Sequence, residues 1–191
     1  FLLLMFPTFC FCQTNWIQLG SNINGEAVGD ESGRAVGINS LGNRIVIGAH
    51  KNDGNGNNSG HVRIYEDFGG NWIQIGADID GETMSDKFGK SVDLNSAGDR
   101  VVVGAWFAAS ASLPIGSGQI SCYELSNGTW NQMGNYINGE ASLDYFGIST
   151  AINASGSIIA GGAYHNDGLN GYNSGHAVSY THLTLPTKQD V

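Results

Sequence analysis

Three stretches of this chain carry one pattern of apolar and polar positions. Phe88 to Ala105, FGKSVDLNSAGDRVVVGA, alternates through Ser91, Val92 and Leu94, turns at Ser96-Ala97-Gly98-Asp99, and then runs apolar through Val101, Val102 and Val103. Alternation predicts a half-buried strand, and a short continuous apolar run predicts a strand covered on both faces. Gly33 to Ala49, GRAVGINSLGNRIVIGA, and Phe146 to Ala163, FGISTAINASGSIIAGGA, repeat the phrase. One two-stranded unit buries too little to stand by itself, whereas three side by side can share a core.

The repeat extends beyond the phrase. Trp16, Trp72 and Trp130 are 56 and 58 residues apart (16 to 72, 72 to 130), and Gly25, Gly81 and Gly139 keep step with them. So do Gly33, Gly89 and Gly147, and Gly48, Gly104 and Gly162. The second copy predicts four strands, near 88–95, 100–106, 119–125 and 130–137, with turns at Gly98-Asp99 and Asn127-Gly128. Four antiparallel strands in such a period are the arithmetic of a propeller blade. The expected fold class is therefore all-β: a β-propeller fragment of about three four-stranded antiparallel blades. The copies occupy 13–71, 72–129 and 130–177, the last one incomplete. Closed propellers use about 4 to 8 blades, so further blades are expected beyond this fragment.

The order Phe-Gly, Ser-Val, turn, Val-Gly-Ala, then Ser-Gly-x-Val-x-x-Tyr resembles the FG-GAP repeat of integrin α-subunit propellers. It is most similar to the variant of bacterial secreted and surface proteins that adds a Trp-x-Gln strand. The resemblance covers Trp16 to Ala177, and Ser32 departs from it where Phe88 and Phe146 stand, which should weaken packing at that blade. It implies a secreted or cell-surface adhesion module, and in integrins a D-x-[DN]-x-D-G calcium loop. The matching loops here begin at Asn39, Asn95 and Asn153 and hold at most one carboxylate each. Calcium takes 6 to 8 oxygens, several of them carboxylate, so these loops are expected to be plain turns.

The loop after each Gly-Ala is the expected recognition element, because loops on a rigid scaffold carry function. Its candidates are His50, Asn52, Asp53, Asn55 and Asn57 in the first copy, and His165, Asn166 and Asp167 in the third. No EF-hand register fits, and the second copy replaces the loop with FAASASLP. No cofactor is expected; were calcium to bind, Asp53 and Asp167 would be the ligands. Glu26, Glu82 and Glu140 are each followed four residues later by an acid, Asp30, Asp86 or Asp144. Such pairs invite a glycosidase comparison, but an acid repeated in every blade is expected to hydrogen-bond turn amides. The repeated tryptophans are expected to pack between blades, and no G-x-S-x-G nucleophile elbow is present.

Charge and the two ends complete the picture. Eight basic against 17 acidic residues give a net charge of -9, which disfavours nucleic acid as a partner. Phe1 to Phe11, FLLLMFPTFCF, is too short to span a membrane and has the apolar character of a truncated signal peptide, 1–12. Cys122 is expected to be a buried structural thiol. From Val178 onward, VSYTHLTLPT leaves the repeat and resembles a translated sequencing adapter, so 178–191 is expected to be a non-native tail. The expected function is a secreted or surface-bound binding module, not an enzyme, that recognises an extracellular protein or glycan. The alternatives are a carbohydrate-active enzyme or its scaffold, and a structural spacer of a larger surface protein.

Overall fold

The computed structural model describes residues 15–109 and 115–182. Within them every regular element is a β-strand. The first sheet contains β1 (Ala35–Ile38), β2 (Arg44–Ala49), β3 (His61–Asp67), β4 (Trp72–Gln74) and β5 (Ile79–Asp80). The second contains β6 (Phe88–Leu94), β7 (Arg100–Ala105), β8 (Gln119–Ser126), β9 (Thr129–Gln132) and β10 (Ile137–Asn138). The third contains β11 (Ser149–Ile152), β12 (Ile158–Ala163) and β13 (His176–Thr181). Every pairing within the sheets is antiparallel, and the strands follow chain order. The protein is a stack of β-propeller blades.

The fourth strand differs from the expected continuous run. It is split into β4 and β5 in one blade and β9 and β10 in the next, both halves pairing with the same neighbour. The W-x-Q-x-G phrase explains the break. Gly76 and Gly134 take left-handed φ of 74° and 70°, and the Gln74 and Gln132 amides donate to their carbonyls. The tryptophan of the following copy then closes over this kink: Trp72 Nε1 donates to Leu19 O at 3.1 Å and Trp130 Nε1 to Ile75 O at 2.9 Å.

Alternate residues of β7 enter different cores, as a strand covered on both faces requires. Val101 and Val103 join Val46, Val62, Ile64, Val92 and Leu94 between the first two blades. Val102 joins Ile120, Phe146 and Ile159 between the second and third. The same stacking explains why Phe-Gly and Gly-Ala recur together. A Cβ on Gly48 would run into the Gly89 carbonyl of the next blade, and one on Gly104 into the Gly147 carbonyl. The two dipeptides are the two sides of one backbone contact.

Ser32 leaves a gap in a second repeated contact. Phe88 meets Tyr123 edge-on at 6.1 Å, and Phe146 meets Tyr180 at 6.2 Å. Tyr65 instead lies under the Arg63 guanidinium at 5.9 Å. Tyr180 pairs with Ile159 in the register that sets Tyr65 beside Ile45 and Tyr123 beside Val101. Residues 178–181 of the expected tail thus belong to β13. The rest of that tail from 183, and the whole expected leader 1–12, lie outside the described residues. Among the described residues no helix is long and apolar enough to cross a membrane.

Candidate functional site

The three turns between the first two strands of each blade, compared above with the FG-GAP calcium loop, are built around one asparagine each. Asn39 Oδ1 accepts from the amides of Asn43 and Arg44, Asn95 Oδ1 from Asp99 and Arg100, and Asn153 Oδ1 from Ser157 and Ile158. The side-chain oxygen is spent on closing the hairpin. Arg44 and Arg100 then reach the next blade, donating to the carbonyls of Gly98 and Gly156 while ion-paired with Glu66 and Glu124.

The acids that follow Gly-Glu are also placed by backbone needs. Asp30, Asp86 and Asp144 are buried. Asp30 Oδ2 accepts from Ala27 N and Asn52 Nδ2, Asp86 Oδ2 from Thr83 N, and Asp144 Oδ2 from Asn166 Nδ2. Asn52 and Asn166 therefore anchor the variable loops to the turn preceding each blade. Burial pushes the Asp86 carboxyl above its ordinary value, against the Thr83 hydrogen bonds that lower it. Asp53 Oδ1 accepts from Asn58 N at 2.7 Å and Asp167 Oδ1 from Asn173 N at 2.8 Å, each closing its own loop. Asn55 donates to the Gly81 and Glu82 carbonyls, and Asn57 accepts from the Asn58 side chain. In the third blade this loop and the acid turn border an open depression of about 740 Å³ lined by Glu140, Asp144, Asn166, Asp167 and His176.

His50 and His165 belong to a different assembly. His50 directly follows β2, as Trp106 follows β7 and Tyr164 follows β12. Lys51, Phe107 and His165 come next, and Glu31, Lys87 and Tyr145 precede the first strand of each blade. Antiparallel pairing brings the end of one strand beside the start of its partner, so all these positions share one end of the sheets. The side chains line up in a row, linked side chain to side chain from Lys87 to His165, with a first-blade group at one end. Glu31 pairs with Lys51 and lies 3.7 Å from His50 Nε2. Lys90 and Lys87 Nζ lie 5.4 Å and 5.9 Å from the Trp106 ring. Trp106 meets Tyr145 at 4.8 Å, and Tyr145 meets His165 at 5.0 Å and Tyr164 at 5.9 Å.

Three observations mark the row as more than packing. Glu31, Lys87 and Tyr145 all have left-handed backbones, φ 53°, 56° and 58°. A non-glycine residue there costs about 1–2 kcal/mol, yet no copy uses glycine. Secondly, His50 Nδ1 and Trp106 Nε1, at equivalent positions of consecutive blades, are buried without a hydrogen-bond partner among the described residues. Native proteins leave few such atoms unpaired. Thirdly, the cations collect here. Arg44, Arg63 and Arg100 are paired with glutamates elsewhere, whereas Arg34, Lys87 and Lys90 have no acidic partner among the described residues. Burial and neighbouring Arg34 lower the Lys90 ammonium pKa. Burial, reinforced by Lys90, pushes His50 down to about 4, so its imidazole is neutral at pH 7. Cys122 takes no part; burial pushes its thiol up to about 11.

No family model matches the chain, and none of the curated proteins compared with it matches. Solved structures do. A putative 6-phosphogluconolactonase from Bacteroides uniformis aligns with 69% of this chain and 33% of its own, at 14% identity and a TM-score of 0.47. The tricorn protease aligns with 77% of this chain and 13% of its own, at 10% identity and 0.44. The periplasmic gluconolactonase of Pseudomonas aeruginosa aligns with 70% and 37%, at 13% identity and 0.44. The chain thus spans about a third of the length of the two lactonases. These likenesses concern the fold alone. They correct one expectation, that the chain is not an enzyme. The missing G-x-S-x-G motif does not by itself separate a binding module from an enzyme. A site assembled from several blades needs no local motif.

Proposed function

We infer that the chain is part of a carbohydrate-active propeller scaffold and that the row from Glu31 to His165 is its glycan-binding face. The observation that carries this reading is the run of aromatic and basic side chains that joins the second and third blades, with His50 and Lys51 of the first blade at the same end of the sheets. Aromatic rings offer flat apolar faces with polar edges, which suit the C–H faces and hydroxyls of a sugar. The ligand class is an acidic glycan, because Arg34, Lys87 and Lys90 form a cationic end on a chain of net charge -9. The FG-GAP resemblance and the apolar leader support an extracellular setting for that partner. Among the described residues Gly33 has open space where Gly89 and Gly147 each meet a preceding blade, which supports further blades in the ring.

A panel of uronate-containing oligosaccharides and their neutral counterparts, measured by calorimetry, tests the proposal. Acidic members should bind and neutral ones should bind at least about tenfold more weakly, a difference of about 1.4 kcal/mol. Equal binding of both sets, or none, would remove it. Hydrolysis of the same glycans, followed in parallel, separates a catalytic scaffold from a purely binding one.

A further inference from the structure

We propose that Glu26, His61 and Asp78, on the outer rim of the first blade, hold a divalent transition-metal ion. His61 opens β3 and pairs with Asp80 of β5. Its side chain is only 2% exposed, and Nδ1 lies 3.5 Å from Asp78 Oδ2 and 3.8 Å from Glu26 Oε2. Both separations exceed an ordinary hydrogen bond of about 2.7–3.2 Å. They match the spacing of two ligands on one ion, because metal bonds of about 2.0–2.2 Å set neighbouring donor atoms roughly 3–3.6 Å apart. One donor atom from each of the three residues lies within 4.8 Å of the others.

The carboxylates are held in place from behind. Arg63 Nη1 donates to Glu26 Oε1 at 3.0 Å, leaving Oε2 turned toward His61. Gln74 Nε2 donates to Asp78 Oδ1 at 2.6 Å, leaving Oδ2 turned the same way. Outer partners that fix one oxygen and free the other are how metal ligands are oriented. The equivalent place in the second blade shows the alternative. There Gln119 replaces His61 and Tyr136 replaces Asp78, so Glu82 faces neither an imidazole nor a second carboxylate at these positions. That blade keeps only the glutamate of the three, whereas in the first blade a second carboxylate and an imidazole converge on it. One nitrogen and two carboxylate oxygens suit zinc or manganese better than calcium, which prefers an all-oxygen shell.

The test is equilibrium dialysis and calorimetry of the full chain with Zn²⁺, Mn²⁺ and Ca²⁺, and visible absorption with Co²⁺ as a reporter of nitrogen–oxygen ligation. One equivalent of zinc or manganese should bind, and Co²⁺ should develop visible bands. His61→Gln imports the residue that the second blade already folds with, and Asp78→Asn keeps shape while removing charge. Each should weaken binding by about 10- to 100-fold and bleach the cobalt spectrum. Metal should raise the melting temperature of the wild type more than that of either variant, which also shows that both variants fold. Absence of binding at millimolar metal, or equal binding by the wild type and Asp78→Asn, overturns the proposal.

Discussion

Trp106 and Tyr145 meet across a blade boundary, with ring centroids 4.8 Å apart. Trp106 follows the second strand of one blade and Tyr145 precedes the first strand of the next. The contact therefore joins two blades through side chains that the repeat does not conserve in type: His50 and Tyr164 stand where Trp106 does, and Glu31 and Lys87 where Tyr145 does. Strand packing asks for sameness at a position, and these positions show the opposite.

The indole is the largest face in the row, so Trp106→Ala should weaken acidic-glycan binding about tenfold or more. Loss of one well-placed aromatic contact is worth about 1–2 kcal/mol. Calorimetry reads the affinity, and thermal melting separates it from lost packing. Unchanged affinity would move the binding face away from Trp106.

Charge selection makes a different demand. Lys87→Gln and Lys90→Gln together should reduce affinity for uronate-containing glycans and flatten its dependence on salt, while neutral glycans are unaffected. Exposed charge interactions are screened over about 8–10 Å at physiological ionic strength, so titrations at low and high salt should converge in the double variant. A salt dependence equal to that of the wild type would place the acidic subsite elsewhere.

His50 makes stability pH-dependent in a defined window. Burial first, then Lys90, holds its folded pKa near 4, below the ordinary histidine value of 6.5. Between these values the unfolded chain binds the extra proton, so stability is complete above pH 6.5 and is lost as pH falls toward 4. The loss should reach about 2 kcal/mol. Denaturant titrations at pH 7 and pH 4.5 should show His50→Gln losing less than the wild type over that interval. Equal losses would show that His50 remains chargeable in the fold.

What the sequence discloses follows from what repeats. The strands, the asparagine-closed turns and the tryptophan contacts recur because every blade must stack on the next, so Trp72, Asn95 and Gly104 stand out in one chain without any relative to compare. The row was not legible in the same way. Glu31, Lys87 and Tyr145 are unlike one another, and the signal they carry lies in that difference at a fixed distance before Phe-Gly. The variable loops are conspicuous for their polar composition, yet Asn52, Asp53, Asn166 and Asp167 mainly close and anchor the loops themselves. Glu26 and Asp30, read as a pair, separate in the structure: Asp30 caps a turn and Glu26 faces His61.

The blade contact gives the sharpest stability prediction. Gly48, Gly104 and Gly162 occupy equivalent places, and none has a left-handed backbone, so alanine is compatible with their dihedral angles. Their surroundings differ. A Cβ on Gly48 or Gly104 would collide with backbone of the next blade, at Gly89 or Gly147, and neither blade can yield without opening the core behind it. In this 191-residue chain, where no described blade packs on the third, a Cβ on Gly162 would meet only Ser149 Oγ at 2.5 Å among the described residues, the end of a side chain that can rotate away. Gly48→Ala and Gly104→Ala should therefore each cost about 3 kcal/mol, the upper range for overpacking. Gly162→Ala should stay within about 1 kcal/mol of the wild type, since reduced unfolded-state entropy offsets part of the rotation cost. Urea denaturation of the three variants measures the contrast directly. Equal costs at all three positions would mean that the glycines are kept for reasons internal to each strand, and that stacking is not what makes Gly-Ala recur.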